Sequence, residues 1–257
     1  MTVSYATSAD GTRIAYETHG EGAPVLFVGG ALSPRQSALA YVPHLADDWT
    51  VVCLDRRGKG DTRESTPWSV EREIEDLAAV IEQLGGAVNV YGHSSGAILS
   101  LKAAAAGVPM TTLTTYEPPF LTTREPEGWK DYADRVRAMA SGDEPGDAVE
   151  SFIRHTGAPW DDGIRQSPFW PAMVALAPTL FYDLTIVADA QVPADTLGRI
   201  TAPVLSLYGG GSPAWAENSA RAVAAAVPGA AVDAAPGQTH NADPAVVSPI
   251  LKDFLRH

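Results

Sequence analysis

Two short stretches of this chain hold residues whose types and spacing suit nucleophilic chemistry. "GHSSG", residues 92–96, sets Ser94 between Gly92 and Gly96, and "PGQTHNAD" carries His240. A serine hydroxyl attacks poorly until a base takes its proton, and histidine is the usual base. The glycines have a geometric reason. "AVNVYG" reads as a strand and "GAILSLKAAAAG" as a helix, so Ser94 falls on a sharp strand-to-helix turn. Such a turn strains the backbone, and glycine two residues to either side removes Cβ clashes with strand and helix while the serine Oγ projects from the carboxyl end of the sheet. By composition alone G-x-S-x-G arises in roughly one chain in ten of this length. Its weight therefore comes from the strand-to-helix context.

Six histidines compete for the role of base: His19, His44, His93, His155, His240 and His257. His240 follows the last strand and precedes the terminal helix, which brings it to the sheet edge that carries Ser94. His93 is read as pointing away from the serine, His19 and His44 as surface residues of early loops or helix, and His257 as a solvated end. His155 lies in the middle of the chain, where packing or a surface position is the first reading and contact with substrate the second.

The elements that must position these groups follow from apolar patterning. "VSYAT" and "RIAYET" flank Asp10-Gly11, a hairpin signal. "PVLFVGG" and "TVVCLD" are nearly continuous apolar runs, as parallel strands buried on both faces are. Ser69 caps a helix in which Ile74, Leu77, Ile81 and Leu84 recur at steps of three and four. After "AVNVYG" and a helix ended by Gly107, "MTTLTTYEPP" is a further strand stopped by Pro118 and Pro119. The alternation predicts an α/β fold with a mostly parallel central sheet and helices on both faces. It breaks between residues 120 and 200, a stretch with helical patches, prolines and Trp129, Trp160, Phe169, Trp170, Phe181 and Tyr182 but no convincing strand. It resumes with "APVLSLYGGG", a helix, "AAVDAAP" and a terminal helix. Residues 1–119 and 201–257 thus read as one core and 120–200 as an inserted helical cap. The cap aromatics are read chiefly as packing, with some of them lining an apolar pocket.

Bulk properties narrow the partners. The chain has 257 residues, 45% of them hydrophobic, enough for one large α/β domain with an insertion. Eighteen Lys and Arg against 31 Asp and Glu leave a net charge of -13, which disfavours a nucleic-acid surface. A single cysteine, Cys53, excludes an internal disulfide and a cysteine-rich zinc site. Neither a basic head followed by an apolar core nor a run approaching the ~20 apolar residues of a membrane span is present. The expectation is a cytoplasmic protein acting on a small molecule, with no membrane partner and no metal or organic cofactor required.

Taken together, the opening hairpin, "FVGGAL", "LDRRGKGDT", "GHSSG", the insertion and "GQTHN" resemble the α/β-hydrolase family over essentially the whole chain. The resemblance implies an oxyanion hole made by the backbone N–H of Ser95 and one from the loop after the third strand, Ala31 or else Leu32. Gly29-Gly30 stands where many relatives have His-Gly. The usual triad acid would follow "PVLSLYG", yet Gly209, Gly210, Gly211, Ser212 and Pro213 come there, with no carboxylate until Glu217 in a helix. Some members place the acid one strand earlier, and Glu117 stands there, ending "TTLTTYE". Asp243 is too close to His240 along the chain to be preferred. In "DRRGKGDTR", Asp55, Arg57, Asp61 and Arg63 are expected to brace one another.

Serine at the elbow argues against epoxide hydrolases and haloalkane dehalogenases, whose nucleophile is a carboxylate. The implied activity is cleavage of an ester, thioester or lactone through an acyl-enzyme on Ser94, with His240 as base and Glu117 as its orienting acid. Two alternatives stay open: a lyase, cyclase or cofactor-free oxygenase using His240 as base toward the substrate, and a ligand-binding protein without turnover.

Overall fold

Successive residues of a strand face opposite ways, so an apolar run such as Val25–Val28 is stable only where helices cover both faces of its sheet. In the computed structural model, which describes residues 2–63, 67–120, 126–189 and 191–256, both faces are covered. Leu26 and Val28 pack with Leu77, Ile81, Ile98 and Leu99 on one side. Val25 and Phe27 pack with Leu45, Val247 and Leu251 on the other.

The strands are β1 (Ser4–Thr7), β2 (Arg13–His19), β3 (Ala23–Val28), β4 (Trp49–Leu54), β5 (Val88–His93), β6 (Met110–Tyr116), β7 (Val204–Gly209) and β8 (Ala231–Ala235). The helices are α1 (Val42–Leu45), α2 (Val70–Gln83), α3 (Ser95–Ala105), α4 (Pro126–Ala140), α5 (Pro145–His155), α6 (Trp170–Ala175), α7 (Leu180–Ile186), α8 (Ala194–Leu197), α9 (Ala214–Ala226) and α10 (Pro244–Leu255). They form one sheet in the order β1-β2-β4-β3-β5-β6-β7-β8, antiparallel at β1/β2 and β2/β4 and parallel elsewhere. Local signals in the sequence operate as read. Ser69 Oγ accepts from the Arg72 N–H at 3.3 Å, and Gly107 (φ 91°) closes α3 with its N–H on Ala104 O at 3.0 Å.

The sheet order reverses between β3 and β5. The chain leaves β3 toward β4 on one side and returns to β5 on the other, which opens a crevice beyond the carboxyl ends of these strands. Val28 pairs with Gly92 across that junction, so the loops starting at Gly29 and His93 leave from neighbouring strand ends. Helices α4 to α8 occupy the interval between β6 and β7, and no strand occurs among its described residues. Trp129 Nε1 donates to Leu184 O at 2.9 Å and Tyr132 Oη to Ser151 O at 3.1 Å, tying those helices together. Among the described residues no helix is long and apolar enough to cross a membrane.

The elbow glycines are required by close approach. A Cβ on Gly96 would lie 2.2 Å from Val28 O and 2.6 Å from Gly29 O, and one on Gly92 2.7 Å from the Ala97 Cα. Gly96→Ala is expected to lower unfolding free energy by about 3 kcal/mol or more, since backbone must move to admit the methyl group. On the exposed face of α4, Gly128 has no atom within 4 Å of such a Cβ, and Gly128→Ala should instead stabilise by about 0.5–1 kcal/mol. Urea denaturation midpoints of the two variants check the contrast.

Candidate active site

Ser94 follows β5 and caps α3 with φ 56° and ψ -123°, a conformation that costs a non-glycine residue roughly 1–3 kcal/mol. Its N–H donates to Tyr116 O at 2.9 Å, which fastens the turn to the end of β6. The strain stands where the sequence placed the elbow.

Glu117 follows β6 directly, fully buried and itself at φ 47°. Its Oε2 accepts from His240 Nδ1 at 2.7 Å. Its Oε1 accepts from the Gly209 N–H at 2.9 Å and from Ser212 Oγ at 2.6 Å. The glycine-serine run at the end of β7, which lacks the expected carboxylate, thus supplies two donors to the carboxylate of the neighbouring strand. Burial alone would raise the pKa of Glu117, but the donors His240, Ser212 and Gly209 outweigh it and leave the carboxyl below its ordinary range. Gly209 is glycine for a reason: a Cβ there would lie 2.4 Å from Gln238 O, in the loop that carries His240.

Two further groups hold that loop. Tyr116 Oη donates to Thr239 O at 2.7 Å, and His93 Nε2 lies 2.9 Å from His240 O. A carbonyl only accepts, so His93 carries its proton on Nε2. This corrects the expectation that His93 points away. Its ring centroid is 4.7 Å from that of His240, because the register sets His93 beside Tyr116 where the histidine loop returns. Burial, then repulsion from His240, pull the His93 pKa down to about 3, so the ring is neutral. Among the described residues no hydrogen bond joins Ser94 Oγ to His240. The two share one sheet edge, and bonds of this kind tighten in substrate complexes.

The N–H groups of Ala31, Leu32 and Ser95 have no internal acceptor among the described residues. A Cβ on Gly30 would lie 2.8 Å from the Ser94 Cβ, so this loop lies directly against the serine. Leu32 takes up φ 55° as the loop turns. The loop carbonyls are held from behind by two cations that sequence reading missed. Arg56 Nη1 donates to Gly29 O at 3.1 Å and Lys59 Nζ to Gly30 O at 2.8 Å. Their counter-charge is Asp183 in α7, where burial works to raise the carboxyl pKa but Lys59 and Arg56 hold it below the usual range. Three cations packed into "RRGKGD" were the local signal, but Asp183, the acid shared by Arg56 and Lys59, is more than a hundred positions away.

Other candidates fall elsewhere. Asp243 caps α10 through the Ala245 N–H at 2.8 Å, and Glu217 pairs with Arg221 within α9. Exposed His155 stacks on Tyr132 at 4.0 Å, and His257 lies outside the described residues. Of Asp55, Arg57, Asp61 and Arg63, expected to brace one another, Asp55 and Asp61 do so, the Asp61 N–H donating to Asp55 Oδ2 at 2.9 Å, while the two arginines turn elsewhere. Arg35 bridges Asp55 and Asp61, Arg57 pairs with Asp76 and Asp10, and Arg63 is exposed. His19 is buried rather than on the surface, near Glu17 and Cys53, with their ligand atoms within 4.8 Å of one another. The Arg35 cation 3.7 Å from Glu17 stands against a metal ion there, as does the Cys53 thiol, which burial pushes up to about 12.

One cavity adjoins His240, and a second lies along α9 on the far side of Trp215 from it. The first, of about 300 Å³, is lined by His93, Tyr91, Tyr41, Tyr116 and His240 itself. The other, of about 620 Å³, is lined mostly by apolar residues such as Phe120, Val192 and Trp215, together with Gln191, Asn218 and Ser219, and the Trp215 ring is 6.1 Å from that of His240. The aromatics singled out in residues 120–200 line neither. Trp129 is buried, Trp160 and Trp170 pack edge to face at 6.0 Å, Phe181 lies near Trp68, and Phe169 is exposed.

Known proteins resemble this chain in sequence and fold. The family model described as "Alpha/beta hydrolase family" matches residues 25–249. The crystal structure of an alpha/beta hydrolase from Sphaerobacter thermophilus is 41% identical, with a TM-score of 0.89 over 98% of this chain and 100% of that one. A thermophilic esterase from Thermogutta terrifontis is 22% identical with a TM-score of 0.78, over 100% of this chain and 98% of that one. The enol-lactonase from Burkholderia xenovorans is 18% identical with a TM-score of 0.77, over 99% and 100% of the two chains. The last two likenesses are likenesses of fold.

The neutral state of His93 has a measurable consequence. Its folded pKa, about 3, lies below the ordinary 6.5, so between those values the unfolded chain binds more protons and stability falls as pH falls. His93→Gln keeps an N–H donor without a titration. Urea unfolding from pH 7 to pH 4 should show the variant losing stability with acid less steeply, by up to about 1.4 kcal/mol per pH unit in that window.

Proposed function

The chain belongs to the alpha/beta hydrolase family, and from that premise we propose that it is a serine hydrolase cleaving a small ester, thioester or lactone through an acyl-enzyme on Ser94. The observation that carries this reading is the 2.7 Å bond between His240 Nδ1 and the buried Glu117 carboxylate at the edge where Ser94 follows β5. With Nδ1–H committed to Glu117, the Nε2 of His240 is left as the acceptor for the serine proton. His240 takes that proton as Ser94 Oγ attacks the carbonyl, and then gives it to the leaving group. Glu117 stabilises the imidazolium in between. The negative oxygen of the tetrahedral intermediate is received by the unpaired N–H groups of Ala31 and Ser95. Water, activated by His240, releases the acid.

Residues 120–200 act as a cap on this core of 1–119 and 201–257. The mostly apolar cavity beside Trp215 suits a hydrocarbon or aromatic part of the substrate, with Gln191, Asn218 and Ser219 as its polar contacts. The net charge of -13 accords with a small-molecule partner rather than nucleic acid.

Intact mass after incubation with a fluorophosphonate probe tests the reading. The parent chain should gain one adduct and Ser94→Ala none. Glu117→Gln should remain folded and react more slowly by about 10²- to 10⁴-fold, the effect of losing the group that orients the base. A folded parent that takes no label would shift the assignment to His240-base chemistry or to ligand binding. Glu117→Gln labelling at the parent rate would remove Glu117 from the triad.

A further inference from the structure

The proposed oxyanion donors are backbone N–H groups, and a backbone N–H is aimed only by turning its whole peptide. In a planar trans peptide the N–H of one residue lies antiparallel to the carbonyl of the residue before it. The carbonyl before the Ala31 N–H is that of Gly30, which accepts from Lys59 Nζ at 2.8 Å. Lys59 therefore directs the Ala31 N–H to the opposite side of that peptide. Glycine at position 30 offers no side chain to resist rotation, so the aim of this peptide rests on the Lys59 bond and on its neighbours.

The Ser95 N–H lies opposite the Ser94 carbonyl, which accepts from the Ala97 N–H at 2.9 Å, and the side chain of Ser95 is anchored by the same network as Lys59. Asp183 Oδ2 accepts from Lys59 Nζ at 3.0 Å, and Asp183 Oδ1 accepts from Arg56 Nη1 at 2.6 Å and from Ser95 Oγ at 2.6 Å. Lys59, Asp183, Ser95 and Arg56 are 0%, 2%, 2% and 3% exposed, so bulk water cannot replace these bonds. None of these side chains takes part in the proposed proton transfers. Asp183 belongs to α7, in the helical segment between β6 and β7, whereas the groups it joins belong to the loop after β4 and the start of α3.

We infer that Asp183 is the positioning residue of the oxyanion hole, aiming the Ala31 donor through Lys59 and anchoring through Ser95 Oγ the residue that bears the other, so that docking of the helical segment on the sheet completes the hole. This rests on the acyl-enzyme reading and adds to it a link between cap and chemistry. A hole fixed in this way needs no reorganisation when negative charge develops on the substrate oxygen. Losing the fixation penalises the transition state and spares substrate binding, so kcat falls while KM stays.

The test compares kcat and KM on p-nitrophenyl acetate, and the rate of phosphonylation of Ser94, for the parent chain, Lys59→Met, Ser95→Ala and Arg57→Met, each first shown to unfold cooperatively. Arg57 makes a comparably buried ion pair with Asp76 at 2.6 Å, and none of its hydrogen bonds among the described residues goes to a carbonyl of the oxyanion loop. Arg57→Met should therefore cost stability and keep kcat within about twofold, as a purely structural role predicts. Lys59→Met should lower kcat and the phosphonylation rate together by about 10- to 100-fold, with KM within about threefold. A folded Lys59→Met with kcat within about threefold of the parent overturns the inference, as does an equal loss in Arg57→Met. If Lys59→Met does not fold, Ser95→Ala decides, because it leaves every ion pair in place. A loss of kcat of about fivefold or more at unchanged KM supports the inference, and parent-like kcat overturns it. A parent chain that takes no label at Ser94 overturns the acyl-enzyme reading itself. A labelled parent with an unaffected Lys59→Met overturns only the positioning role.

Discussion

A carboxylate removed wholly from water must find donors for its oxygens, and the placement of the candidate site follows from how Glu117 finds them. Its three donors come from β7, from the turn after it and from the loop before α10. Leaving such a group unpaired costs several kcal/mol, so the fold is constrained to bring the three segments together. The positive φ at Glu117 and the glycines at the end of β7 are local adjustments to that demand. Gly209 lets the histidine loop pass close, and its N–H becomes one of the donors.

The same sheet edge is crowded for a topological reason. With β3 and β5 adjacent, two loops that are distant in sequence leave the sheet side by side, and only glycine fits where they touch. Gly30 meets Ser94, while Gly96 meets the carbonyls of Val28 and Gly29. The strained serine is held by surroundings that leave it no alternative: its N–H is fixed to β6, and its own carbonyl accepts the first bonds of α3. Strain of this kind persists where packing over-determines the backbone.

The ion pairs divide by burial. Exposed i,i+4 pairs such as Lys130–Asp134 and Arg221–Glu217 are screened by water and add little to stability. The group Arg56, Lys59, Glu73 and Asp183 is different, with two cations and two acids almost entirely out of water. Removing one member of such a group costs about 3–5 kcal/mol, although a hydrophobic replacement of the whole set could be as stable. Its significance lies in orientation more than in stability, because it grips the carbonyls of Gly29 and Gly30.

The sequence by itself determined the strands, the helix caps, the elbow and the identity of Ser94 and His240 as candidates, because these depend on hydrophobic period, glycine sterics and turn chemistry within a few residues. It also pointed to Glu117, through its position at a strand end together with the missing carboxylate after "PVLSLYG". Tertiary structure alone decided which buried charges meet. Arg56 and Arg57 are adjacent and identical in type, yet one pairs with Glu73 and Asp183 and the other with Asp10 and Asp76. The orientation of His93 and the burial of His19 were likewise invisible in sequence. Charge and hydrogen-bond complementarity act through space, and no periodicity along a chain records which distant partner will satisfy a donor once water is excluded.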